Sequence, residues 1–86
     1  MKKLVVISAV WCPSCLILNK HLKRLNEDVK IDIEKLDFDL DEDEVEKYNV
    51  GEKLPVIILE HDNQEIDRLI GEKSYDEVLN FIKEND

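Results

Sequence analysis

Leu4-Val5-Val6-Ile7 is a run of four apolar residues, three of them β-branched, with no polar alternation. Such a run suits a strand covered on both faces, as in a parallel sheet between helices. A chain of 86 residues has room for one compact domain around that strand, spanning 1–86. The run leads into Trp11-Cys12-Pro13-Ser14-Cys15, and a helical stripe follows. Cys15, Leu18, Leu22 and Leu25 recur at three- and four-residue spacing, and Leu16 widens the stripe. Pro13 suits the first helical position, where its missing N–H costs nothing. Lys20, Lys23 and Arg24 are expected late in this helix, complementing the negative end of its dipole.

The remaining elements follow from similar signals. A second strand is expected over Ile31 to Phe38. Ile31 and Ile33 alternate with acids while Leu36 and Phe38 take the opposite phase, so a bulge near Glu34-Lys35 is expected. A short helix is expected from about Asp41 to Tyr48, with Asp41 as N-cap and Glu44 as its capping-box partner. Leu54 to Leu59 reads as a third strand, with Pro55 at the start, where a strand tolerates it. His61-Asp62-Asn63-Gln64 reads as a turn and Ile66 to Ile70 as a fourth strand that Gly71 ends. Ser74 and Glu77 form a capping box for a last helix with Tyr75, Val78, Leu79 and Ile82 on its apolar face. The order is β-α-β-α-β-β-α. Strands separated by helices are expected to pair in parallel through crossovers, and the last two to form a hairpin.

Charge narrows the function classes. The net charge is −9, which argues against nucleic acid and against an anionic membrane surface as partners. The charge is uneven: +3 through Leu36 and −12 from Asp37 onward, with seven acids and no base in Asp37 to Glu46. The plain reading of that run is a solvated helix start, where acids are favourable; the sharper one is a docking surface for a basic partner. An EF-hand reading fails for want of the central glycine. Met1-Lys2-Lys3 and the apolar run resemble a secretory leader, but Trp11 directly before Cys12 does not suit a cleavage site. No stretch approaches the ~20 apolar residues of a membrane span. A cytoplasmic protein is expected, and there a CxxC pair reads as catalytic or metal-binding.

Cys12 and Cys15 are the two cysteines of the chain. A strand–loop–helix junction makes Cys12 the N-cap, where free N–H groups and the helix dipole favour a thiolate. The thiolate is the species that attacks a disulfide. Cys15 lies about one turn on and shares the core stripe. Cys12 is therefore expected to be the exposed nucleophile and Cys15 the buried resolving thiol, with the Cys12–Cys15 disulfide as the redox-active group and no bound cofactor. Ser14 is placed to donate to the thiolate, and Pro13 stiffens the loop. Trp11 reads equally as a core aromatic and as an exposed platform beside the sulfur.

Together, the strand ending in Trp11-Cys12-Pro13-Ser14-Cys15, the later Leu54-Pro55 and the Gly71 that follows the hairpin resemble the thioredoxin family. The likeness covers nearly the whole chain, as the C-terminal four-fifths of a thioredoxin without its first strand and helix. It implies an α/β thioredoxin fold with a four-stranded mixed sheet flanked by helices. It implies that Pro55 is cis and faces the cysteine pair, and that the Leu54 backbone pairs with an extended substrate segment. Two features depart from the family. Val6 stands where thioredoxins carry a buried Asp, which leaves the family lysine, Lys35, without its acid. The Pro-Ser loop is nearer to glutaredoxins, whose paired glycines and Thr-Val-Pro are missing here, so a glutathione site is poorly supported.

The resulting expectation is a monomeric disulfide reductase acting on protein disulfides and recharged by an electron-donating reductase. Two other readings stay open. One is a non-catalytic thioredoxin-fold module holding peptides on Trp11, Leu54 and Pro55. The other is a metal-binding dithiol, since His21 and His61 are the remaining soft ligands and zinc sites usually need four.

Overall fold

The computed structural model describes residues 2–85. Met1, part of the leader-like start, and Asp86, the last residue of the expected domain, lie outside the described residues. The elements are β1 (Lys2–Ser8), α1 (Pro13–Asp28), β2 (Asp32–Asp37), α2 (Glu42–Lys47), β3 (Val56–His61), β4 (Gln64–Ile70) and α3 (Tyr75–Glu84). The order is the expected β-α-β-α-β-β-α, and the sheet is mixed, with strands in the order β2-β1-β3-β4.

β1 and β3 are the two inner strands, and their residues are divided strictly by parity. Leu4, Val6, Ile57 and Leu59 face α1 and α3, packing on Leu18, Leu22, Leu25, Val78, Phe81 and Ile82. Val5, Ile7, Val56 and Ile58 face the other way, onto Val45 of α2. Burial on both faces is why these strands are continuous apolar runs. The same two layers explain β2. Its pairing with β1 runs unbroken from Lys3↔Asp32 to Ser8↔Asp37, with no bulge at Glu34-Lys35. Ile31 and Ile33 pack toward α1 and α3, and Leu36 and Phe38 toward α2. The phase change reflects a second covered face, not a kink in the strand.

Three other expectations are corrected. β3 is antiparallel to β1, with Ile7 opposite Val56, although a helix separates β2 from β3. The chain from β2 through α2 re-enters the sheet at the end it left, so β3 runs back alongside β1. Asp41 caps α2 without a side-chain bond to it; its carboxylate accepts the Asp37 N–H at 2.7 Å instead. α1 runs on to Asp28, which leaves Lys20, Lys23 and Arg24 short of its last turn. Asp28 at that end accepts the Tyr75 hydroxyl of α3, and Arg24 lies 4.1 Å over the Tyr75 ring.

The β3–β4 hairpin turns through Asp62 and Asn63, both at positive φ (53° and 68°), which these residue types tolerate. The Ser74–Glu77 capping box forms with both of its hydrogen bonds. Leu22→Ala is expected to cost about 2–5 kcal/mol through a cavity under the sheet, and Ser74→Ala about 1 kcal/mol through a lost cap. Urea unfolding midpoints at unchanged m-value check both.

Candidate active site

Residues 9–12 turn the chain from β1 into α1. Cys12 is the N-cap, with extended backbone angles, and its Sγ accepts the Cys15 N–H at 3.3 Å. That is the bond a Ser or Asp oxygen makes at an ordinary N-cap. On its other side the Cys12 thiol donates to the Leu54 carbonyl at 3.8 Å. The sulfur therefore bridges the start of α1 and the segment entering β3.

Both cysteines are free thiols. Cys12 is more enclosed than expected, 6% exposed beside 1% for Cys15. Ala9, Phe38 and Leu54 close around the pair. Burial, and then the hydrogen bond with Cys12, push the Cys15 thiol from its ordinary 9.0 up to about 12. At neutral pH Cys15 is thus a protonated thiol.

The Leu54–Pro55 peptide is cis, as the resemblance implied. Pro55 is buried, and its carbonyl accepts the Gly71 N–H at 2.8 Å. Gly71 sits at φ +91°, a conformation that costs little without a Cβ. Gly71 thereby ties the end of β4 to the segment that touches Cys12.

Trp11 is not a core aromatic. It packs edge-on to Phe38, ring centres 6.2 Å apart, and still leaves 58% of its surface open beside Cys12. Its indole N–H donates to Asp39 at 2.7 Å. Ser14 does not serve the sulfur; its hydroxyl donates to Glu72 at 3.0 Å. Pro13 is exposed on the first turn of α1. Lys35 is exposed on β2 opposite the buried Val6, with no carboxylate there to pair with it. Asp39, Glu72 and Phe38 are neighbours of the site that the sequence did not single out. Asp39 lies 28 residues from Trp11 and Glu72 58 residues from Ser14, beyond the reach of any local motif.

Among the described residues no group of three or more His, Cys, Asp or Glu is gathered to hold a metal ion. His21 leans on Tyr75 of α3, and His61 sits at the hairpin. No helix among them is long and apolar enough to cross a membrane.

A thioredoxin family model matches residues 1–84. The chain belongs to the thioredoxin family. Solved members of the family agree with it in fold. A reduced thioredoxin pre-protein of Schistosoma mansoni superposes with TM-score 0.88 at 26% identity, over 96% of this chain and 77% of that one. Trxlp of Edwardsiella tarda gives 0.81 at 28% identity, over 93% and 80%. Fasciola hepatica thioredoxin, 23% identical, gives 0.89 over 99% and 81% and shows the fold alone. No curated protein matches the sequence. Thioredoxins typically act on protein disulfides, and this member's paired Cys12 and Cys15 suit thiol–disulfide exchange.

The raised Cys15 thiol has a consequence for stability. Between pH 9 and about 12 the unfolded chain gives up the Cys15 proton while the folded one keeps it. Stability is then full below pH 9 and falls as pH rises through that window. Tyr48, pushed up to about 12 by burial and then by its hydrogen bond to Glu60, adds to the same slope. Urea titrations of the reduced protein from pH 8 to 11 should show the fall, and Cys15→Ser should make it shallower.

Proposed function

We propose that this protein is a thiol–disulfide oxidoreductase that reduces protein disulfides through Cys12 and Cys15. The observation that carries the reading is the Cys12 Sγ held on the Cys15 N–H at the start of α1, with the Cys15 thiol buried behind it. A thiolate at Cys12 keeps that N–H as a donor and gains from the positive end of the α1 dipole. The Cys12 thiolate attacks one sulfur of the substrate; the substrate S–S bond breaks, and one substrate thiolate departs. Cys15 then loses its proton and attacks the Cys12 sulfur. The mixed disulfide breaks, the second substrate thiol leaves, and Cys12–Cys15 is joined. Two electrons pass from the protein to the substrate.

Trp11, Pro13 and Leu54 form the substrate surface in this reading, and Pro55, buried beneath it, bears on substrate through the Leu54 backbone it follows. The Leu54 carbonyl, already within reach of the sulfur, is the backbone partner for an extended substrate segment. Gly71 supports that segment through Pro55. Lys35 and Ser14 act away from the sulfur, on the surface and on Glu72. In a reducing, cytoplasmic setting the working direction is reduction, and a dithiol-regenerating reductase closes the cycle.

Three measurements test this. Wild-type protein should form an internal Cys12–Cys15 disulfide and reduce insulin disulfides. Cys12→Ser should abolish that reduction, a fall of at least about 10³-fold as expected for loss of the nucleophile. Cys15→Ser should accumulate a mixed disulfide between Cys12 and substrate, visible by mass spectrometry. A wild-type protein that makes no internal disulfide and reduces no protein disulfide overturns the reading.

A further inference from the structure

Hydrogen bonds close a ring around the Cys12 sulfur. Cys12 touches the Leu54 carbonyl; Pro55 follows and holds the Gly71 N–H. Glu72 is the next residue, and its carboxylate returns to the Ser14 hydroxyl, two residues past Cys12. On the opposite flank Trp11, the residue before Cys12, holds Asp39. The ring members Trp11, Cys12, Ser14, Leu54, Pro55 and Gly71 are uncharged. Val10, Leu40 and Ile70, beside them in the chain, are exposed apolar side chains. The charge attached to the ring is therefore carried by two carboxylates, Glu72 and Asp39, each fixed by a hydrogen bond to a neighbour of the sulfur. Lys53 and Lys73 adjoin the ring in sequence, yet among the described residues neither acid has an ion pair.

Fixed carboxylates on an apolar surface act on whatever approaches the sulfur. A cationic group beside the substrate disulfide is attracted from both flanks, and an anionic one is repelled from both. Resting on the oxidoreductase reading above, we propose that Glu72 and Asp39 select substrates by charge. Disulfides flanked by cationic residues are reduced in preference to those flanked by acidic residues. The exchange itself is unchanged: the protein dithiol becomes the Cys12–Cys15 disulfide, and the substrate disulfide takes up two electrons and two protons to leave as two thiols.

The test uses three small disulfides of similar size: dicationic cystamine, neutral hydroxyethyl disulfide and dianionic dithiodipropionate. Reduced full-length protein is mixed with each, and each rate is divided by that of dithiothreitol on the same disulfide. Dithiothreitol carries no charge beyond that of its attacking thiolate, so the division removes differences in leaving-group reactivity and in attraction to a thiolate as such. The corrected rates should fall in the order cationic, neutral, anionic, with about tenfold between the extremes at low salt. Half-molar salt should compress that ratio. Glu72→Gln should shrink it, and Glu72→Gln with Asp39→Asn should bring it close to one. Equal corrected rates for the three disulfides in the wild type overturn the proposal while leaving the oxidoreductase reading standing. A ratio that survives in the double variant overturns the assignment to these two acids. Failure to reduce any of the three by a protein that reduces insulin overturns this proposal alone; failure on insulin as well overturns the oxidoreductase reading with it.

Discussion

The antiparallel pairing of β1 with β3 places everything else at the site. Ile7 and Val56 lie opposite each other at one end of the sheet, both buried. The chain leaves β1 there toward Cys12 and enters β3 there through Leu54-Pro55. Two segments 42 residues apart are thereby brought within reach of one sulfur. β4, paired to β3 with Ile70 opposite Val56, delivers Gly71 and Glu72 to the same end. The pairing is held from both faces by apolar side chains of α1, α2 and α3. The site residues lie on the short connections that leave or enter these strands, each anchored at one end to the buried sheet.

The two cysteines differ in what surrounds them. Both sulfurs are largely enclosed, but Cys12 faces a backbone N–H and the start of a helix, whereas Cys15 faces apolar packing. Desolvation comes first at Cys15, which is packed among Ala9, Phe38 and Leu54. Carboxylates are present at the site, but on its rim, at Asp39 and Glu72. There they act on the approach of a substrate and not on the buried proton. Acid inside the site is exchanged for acid around it.

Much of this was legible in the chain. The cysteine pair, the N-cap role of Cys12, the depth of Cys15, the hairpin and the Ser74–Glu77 box all rest on contacts within a few residues, which sequence patterns report well. The misreadings share one cause. The phase change in β2 looks like a bulge when one covered face is assumed, and resolves once α2 covers the second. Asp41 has the side chain of a cap, yet a nearer donor, the Asp37 N–H, takes it. Ser14 looks like a partner for the sulfur two residues away, yet Glu72, 58 residues on, takes its hydroxyl. In each case a partner that the local pattern does not weigh competes and wins: a second helix face for β2, a backbone N–H four residues back for Asp41, and Glu72 for Ser14.

The sequence by itself determined the elements and the cysteine pair: a doubly buried strand, a helix opened by Cys12-Pro13, and a second thiol on its core stripe. Local periodicity and capping are short-range physics, so one dimension suffices for them. Only the tertiary structure decided the direction of β3, the surroundings of Trp11 and the charge around the sulfur. Those depend on which end of the sheet each strand leaves from. The net charge of −9 says that the protein is acidic. The fold alone says that two of its acids, Asp39 and Glu72, are hydrogen-bonded to the neighbours of Cys12.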